Sequence, residues 1–189
     1  MNHIGLFEGM GGFGLAAHWM GWKTIAWCEY NPFGQRILRY YFPKATEHHD
    51  IRDTDFTIYR GRCDIITGGF PCQPFSQAGA RKGAEDDRFL WPEMLRAIKE
   101  VRPAWVVGEN VAGIESMVFP PVQTQVDRTP TIEGEEVRSY MEGEGIMLRI
   151  TTELEEIGYS CQPLRIPAAS IGAPHKRDRW WFIANANER

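Results

Sequence analysis

The chain has 189 residues, 43% of them hydrophobic, which suffices for one sizeable core and is short for two full domains. No run approaches the roughly 20 apolar residues of a membrane helix, and the first residues lack the basic-then-apolar layout of a signal peptide, so a cytoplasmic protein without a membrane partner is expected. A formal net charge of -4 speaks against holding nucleic acid by bulk electrostatics, and four cysteines without C-x-x-C spacing suggest thiols, with neither a disulfide framework nor a metal site.

In chain order, His3 to Phe7 reads as a strand, Phe13 to Met20 as a helix ended by Gly21, and Lys23 to Cys28 as a second strand. Asn31 caps a helix with Pro32 in its first turn, running to about Phe42. Further strands fit Asp64 to Thr67, Trp105 to Gly108, Tyr159 to Arg165 and Arg179 to Ala184, with helices over Leu90 to Val101 and Gly145 to Ile157. Between Phe119 and Gly143 the pattern fails around Pro120, Pro121 and Pro130, and a surface insertion is expected there. Short apolar runs alternating with amphipathic stretches predict an α/β fold, a doubly wound and mostly parallel sheet with helices on both faces.

The first strand runs into Phe7-Glu8-Gly9-Met10-Gly11-Gly12-Phe13-Gly14, which satisfies G-x-G-x-x-G between a strand and a helix. Glu29 follows about 20 residues beyond Gly9, at a strand end where a carboxylate can take both ribose hydroxyls of an adenosine. Tyr30 beside it is placed to stack on adenine. The same residues also read as a tight turn and a solvated strand end, and the segment alone does not separate a nicotinamide cofactor from S-adenosylmethionine.

Gly68 to Gly79, GGFPCQPFSQAG, leaves a strand at the carboxyl end of the sheet. Cys72 stands between Pro71 and Pro74, whose rings restrict the backbone, while the flanking glycines supply hinges. A cysteine has a pKa of about 8.5, so a thiolate nucleophile there needs a nearby cation or proton acceptor. A buried structural cysteine is the plainer reading of any single cysteine. Near the other end, His175-Lys176-Arg177-Asp178-Arg179 lies in a locally basic strip; an extended backbone would put His175, Arg177 and Arg179 on one face.

These segments, in this order, resemble the cytosine carbon-5 DNA methyltransferases: Phe7 to Gly11, Glu29, Asp50-Ile51, the Pro71-Cys72 loop, Glu109-Asn110-Val111, and His175 to Arg179. The resemblance implies a seven-stranded Rossmann-like methyltransferase fold, S-adenosylmethionine as cofactor and double-stranded DNA as partner. It assigns Phe7, Gly9, Gly11, Gly12, Glu29, Tyr30, Asp50, Ile51 and Pro71 to the cofactor. Cys72 attacks carbon 6 of a flipped cytosine, which makes carbon 5 nucleophilic toward the sulfonium methyl group. Glu109 serves nitrogen 3, Arg179 the oxygen at position 2, and Arg177 backbone phosphate or the closed loop.

The sequence departs from the family in two ways. Gly5 stands where the first strand often carries an acid, and His175 where glutamine is usual. The family usually continues with a target-recognition region, which is expected to be absent here, either because the chain is one subunit of a split enzyme whose other chain supplies recognition or because it is a truncated form inactive alone. Three other readings compete: an RNA cytosine methyltransferase, a non-catalytic relic or binding subunit, and a nicotinamide-dependent oxidoreductase, which gives no reason for the Pro71-Cys72 loop.

Overall fold

A computed structural model describes residues 1–71, 89–117 and 145–187. Cys72, the rest of its loop through Arg88, and the expected insertion at 119–143 lie outside the described residues. The elements in chain order are β1 (Asn2–Leu6), α1 (Gly12–Trp19), β2 (Lys23–Cys28), α2 (Pro32–Tyr41), β3 (Thr46–His48), β4 (Ile65–Gly68), α3 (Trp91–Val101), β5 (Trp105–Val111), α4 (Ile146–Glu156), β6 (Tyr159–Pro167) and β7 (Asp178–Ala186).

Seven strands make one sheet in the order β3-β2-β1-β4-β5-β7-β6. The pairings from β3 through β5 are parallel, and β7 runs antiparallel to both β5 and β6. Central strands covered on both faces are mostly apolar, and Ile4, Leu6, Ile65 and Ile66 are all buried. The edge strand β6 tolerates Pro163 and Pro167, since an edge position need not donate to a ladder.

Helices α2, α3 and α4 follow from their sequences. The Asn31 side chain accepts from the Phe33 amide at 2.8 Å with Pro32 pre-setting the first turn, so α2 starts where its cap dictates. On α3, Met94, Leu95, Ile98 and Val101 recur at helical spacing and are buried, as are Ile146, Ile150 and Leu154 on α4. Right-handed crossovers carry the chain outward from β1 in one direction and from β4 in the other, which places α1 and α2 on one face and α3 and α4 on the opposite one.

Two features differ from the sequence expectation. β3 has three residues, Thr46-Glu47-His48, without apolar alternation, and exists through its pairing with Ala26 to Cys28. Its neighbours Ile51–Asp53 and Thr57–Tyr59 form short 3-10 turns. Strand β1 also carries a fully buried His3, whose ring nitrogens lie 3.0 Å from the Thr24 hydroxyl on β2 and 2.8 Å from that of Thr67 on β4. Burial lowers its pKa to about 4, so it packs as a neutral ring.

Candidate active site

The crossover direction reverses between β1 and β4, and in open α/β sheets ligands bind at the carboxyl ends flanking such a point. Leu6 pairs with Gly68, so the two segments leaving these strands, the glycine loop and Gly69-Phe70-Pro71, begin side by side. The cofactor-type motif and the chain leading into Cys72 thus share one rim of the sheet.

The glycine loop folds as its composition requires. Phe7, Gly9 and Gly11 adopt φ values of 54, 57 and 87°, a left-handed region open to glycine and costly for phenylalanine. The Phe7 amide donates to the Cys28 carbonyl at 2.8 Å, which tethers the loop to β2. Glu29 completes the tether: its carboxylate accepts from the Gly9 amide at 2.6 Å and from the Asn31 amide at 2.7 Å. A carboxylate oxygen has two acceptor sites, so this clasp leaves room for the expected ribose contacts. No neighbour lies within 4 Å of where a side chain would stand at Gly9 or Gly12, which leaves the loop surface open. Tyr30 is 72% exposed next to it.

Asp50 and Ile51 follow β3. The Asp50 carboxylate accepts from the Arg52 amide and pairs with its guanidinium at 2.7 Å, and these bonds hold its pKa below the usual carboxylate range. Ile51 has its side chain in the core, so of the pair only Asp50 offers a side chain to the surface.

Glu109 lies near the carboxyl end of β5 and Arg179 near the start of β7, and their side chains meet at 2.8 Å. Burial raises the Glu109 pKa, while Arg179 and the charge of Arg177 oppose that rise. A Cβ placed on Gly69 would lie 3.2 Å from Glu109 Oε2, so the ion pair borders the segment leading to Cys72. Asn110 is buried and donates from Nδ2 to the Phe70 carbonyl at 3.0 Å, fixing that segment to β5. Phe70 itself packs on Trp91 with ring centroids 5.2 Å apart. Pro71 is exposed, and its carbonyl accepts from the Leu90 amide at 3.4 Å.

The alternation expected over His175 to Arg179 begins later than the sequence suggests. β7 starts at Asp178, and Arg177 has a φ of 36°, so Arg177 and Arg179 are not consecutive members of one strand face. The Asp178 carboxylate pairs with Lys176 at 3.3 Å and with Arg165 at 3.0 Å, which neutralises part of the basic strip. Arg177 is exposed at the rim, close enough to Glu109 to affect its charge.

Three residues of this site escape local sequence reasoning. Gly34 is one: a Cβ there would lie 2.4 Å from the Gly9 carbonyl, so α2 presses its first turn against the loop. Asn110 appears in the motif, yet its bond to Phe70 crosses 40 residues. Glu8 is 5% exposed behind the loop, and burial first, then Glu29, raise its pKa to about 7. The glycine of position 5 was the available signal for it. Among the described residues, no group of three histidine, cysteine or acidic side chains could hold a metal ion, and no helix is long and apolar enough to cross a membrane.

The chain matches the family model of C-5 cytosine-specific DNA methylase over residues 1–120 and 137–189. It is similar to Type II methyltransferase M.Eco47II of Escherichia coli, 31% identical over 186 residues that make up 97% of this chain and 39% of that protein. Type II methyltransferase M.HhaI of Haemophilus parahaemolyticus is 29% identical over all of this chain and 50% of its own length. Among solved structures, a putative DNA modification methyltransferase encoded within an E. coli prophage superposes with a TM-score of 0.70 at 26% identity, covering 98% of this chain and 47% of that one. The S. pombe Dnmt2 methyltransferase shares the fold with a TM-score of 0.71, over 100% of this chain and 52% of its own, at 21% identity. The chain therefore spans about half or less of the length of these relatives. With the matched segments covering most of its residues, the chain belongs to the C-5 cytosine-specific DNA methylase family.

Proposed function

We propose that this chain is the catalytic part of a DNA cytosine carbon-5 methyltransferase that uses S-adenosylmethionine and forms a transient covalent bond from Cys72 to the target base. The observation that carries the reading is the Glu109–Arg179 pair, 2.8 Å apart at the rim where the Cys72 segment and the glycine loop both emerge. A thiolate adding to carbon 6 pushes an electron pair onto the ring, and that charge needs a proton or cation at the Watson-Crick edge. Glu109, its pKa raised by burial, is suited to share a proton with ring nitrogen 3, and Arg179 to accept the charge growing on the oxygen at position 2.

For the cofactor, the open faces at Gly9 and Gly12, the Glu29 carboxylate, the exposed Tyr30 ring and Asp50 fit an adenosyl group with ribose hydroxyls. When bound, S-adenosylmethionine supplies an electrophilic methyl group. Thiolate addition at carbon 6 would leave an electron pair at carbon 5 able to displace S-adenosylhomocysteine from the methyl group; loss of the carbon-5 proton to a base would then return the electrons that expel the Cys72 thiolate. Phe7 in the glycine loop and Pro71 on the neighbouring segment would flank the cofactor, and the exposed Arg177 would meet backbone phosphate. Extrusion of the base from the duplex is part of the reading, since its ring is unreachable in the stack. The choice of DNA sequence is assigned to a recognition part beyond this domain, such as a second subunit.

Incubation with cofactor and duplex DNA containing 5-fluorocytosine tests the reading, because fluorine cannot leave carbon 5 as a proton does and the covalent complex persists. The wild type is expected to give a denaturant-stable adduct with DNA and none with structured RNA, and Cys72→Ala to give none. Absence of adduct across duplexes of varied sequence, with a relative's recognition domain added in trans, would refute it.

A further inference from the structure

Gly5 and Glu8 compete for one space. A Cβ built on Gly5 would lie 1.8 Å from Glu8 Oε1, 2.5 Å from its Cδ and 2.6 Å from its Cγ. The Glu8 side chain therefore fills the volume that a side chain at position 5 would take. The chain gets there by leaving β1 at Leu6, turning through Phe7 at φ 54° and folding back. From that position Glu8 Oε2 accepts from the Gly14 amide at 3.3 Å, in the first turn of α1, and its backbone carbonyl accepts from Gly11 at 2.8 Å. Gly11, the N-cap of α1, has no side chain to do this. Glu8 Oε1 has no hydrogen-bond partner among the described residues.

We propose that Glu8 is a positioning residue for the methyl-donor loop: its carboxyl, lodged over Gly5, braces Gly9 to Gly14 from the sheet side, the place an acid at position 5 would otherwise serve. This rests on the reading that the glycine loop holds S-adenosylmethionine. One carboxyl thus reaches, from three residues further along the chain, the space that a side chain at position 5 would take. The two positions are then mutually exclusive: a side chain at 5 demands the loss of the acid at 8, and a missing acid at 8 is replaceable from 5. The charged group facing Glu8 is Glu29 at the end of β2, which disfavours a second carboxylate, and His3 on β1 is neutral above about pH 4.

Four variants of the full chain decide it: Gly5→Ala, Gly5→Asp, Glu8→Ala and the combined Gly5→Asp/Glu8→Ala. At about pH 6, where Glu8 is largely protonated, hydrogen exchange of residues 7–15 reports the loop, and calorimetry reports the affinity for S-adenosylhomocysteine. Gly5→Ala and Glu8→Ala are each expected to speed exchange in that segment, leave β5 and β7 unchanged, and weaken the ligand about tenfold, the equivalent of one lost bond. The combined variant is expected to recover both readouts relative to Glu8→Ala, a comparison that holds even if Gly5→Asp alone fails to fold. Wild-type exchange and affinity in Gly5→Ala, or no recovery in the combined variant, would overturn the proposal. A wild type that shows no affinity for the ligand overturns the donor reading instead, and with it the role given to Glu8.

Discussion

Replacing Glu8 by glutamine should expose a pH dependence of stability that the wild type conceals. Two buried groups near β1 titrate in opposite senses. His3 has an ordinary pKa of 6.5 and one of about 4 in the fold, so the unfolded chain takes up its proton first. Its contribution to stability is complete above pH 6.5 and is lost as the pH falls toward about 4. Glu8 runs from 4.5 to about 7, so the fold favours its neutral acid, and that contribution is complete below pH 4.5 and lost as the pH rises through about 7. One proton difference changes stability by about 1.4 kcal/mol per pH unit. Between pH 4.5 and 6.5 the two slopes therefore nearly cancel. Glu8→Gln keeps an acceptor for the Gly14 amide and removes one slope. The variant should gain about 1.4 kcal/mol per pH unit over the wild type, reaching about 3 kcal/mol by neutral pH. Urea unfolding of both proteins from about pH 4.5 to about pH 7.5 measures this directly. Half-buried His48, also lowered by burial, contributes equally to both and drops out of the difference. A difference that stays constant with pH would mean that Glu8 titrates at its ordinary value, and would sink the argument.

Gly34→Ala should destabilise by about 1–3 kcal/mol, although glycine to alanine inside a helix ordinarily gains stability, because the new methyl meets the Gly9 carbonyl; a rise in urea midpoint would contradict this. Asn110→Ala should cost about 1–3 kcal/mol by leaving the buried Phe70 carbonyl unpaired. Its rate of adduct formation with 5-fluorocytosine DNA should fall further than stability accounts for, as compared at a temperature where both proteins are folded. Arg179→Ala should slow adduct formation about a hundredfold, in line with loss of one charge-stabilising donor. It also removes the larger of the two cationic influences, Arg179 and Arg177, that oppose the raised Glu109 pKa, so the pH profile of the residual rate should move to the alkaline side.

The local signals in the sequence carried most of the framework. The Asn31–Pro32 start of α2, the β2 boundaries at Lys23 and Cys28, and the glycine loop between β1 and α1 all depend on neighbours within a few positions, and each is found where expected. Glu109 and Arg179 were legible through the family resemblance, and the ion pair between them is a consequence of strand order. What stayed hidden depends on which strands become neighbours. His3 looks like a polar residue in a strand until Thr24 and Thr67 flank it. Glu8 looks solvent-bound until Gly5 opens the space beneath it. The alternation inferred for His175 to Arg179 failed because the strand begins only at Asp178 and Arg177 turns at a positive φ, a backbone choice that side-chain periodicity does not register.

The reversed direction of β7 decides how a late segment of the chain reaches the rim from which its early segments emerge. The strand has nine residues, and at about 3.3 Å each its ends stand about 27 Å apart. Laid down in the same sense as its neighbours, it would present Arg179 at the bottom of the molecule and offer only Asn185 and Ala186 at the top. Flipping a single ribbon delivers the guanidinium to the rim without any long connecting excursion. A hairpin with β6 is enough, and the arginine's distance from Glu109 is then set by backbone hydrogen bonds to β5 and not by a flexible tether.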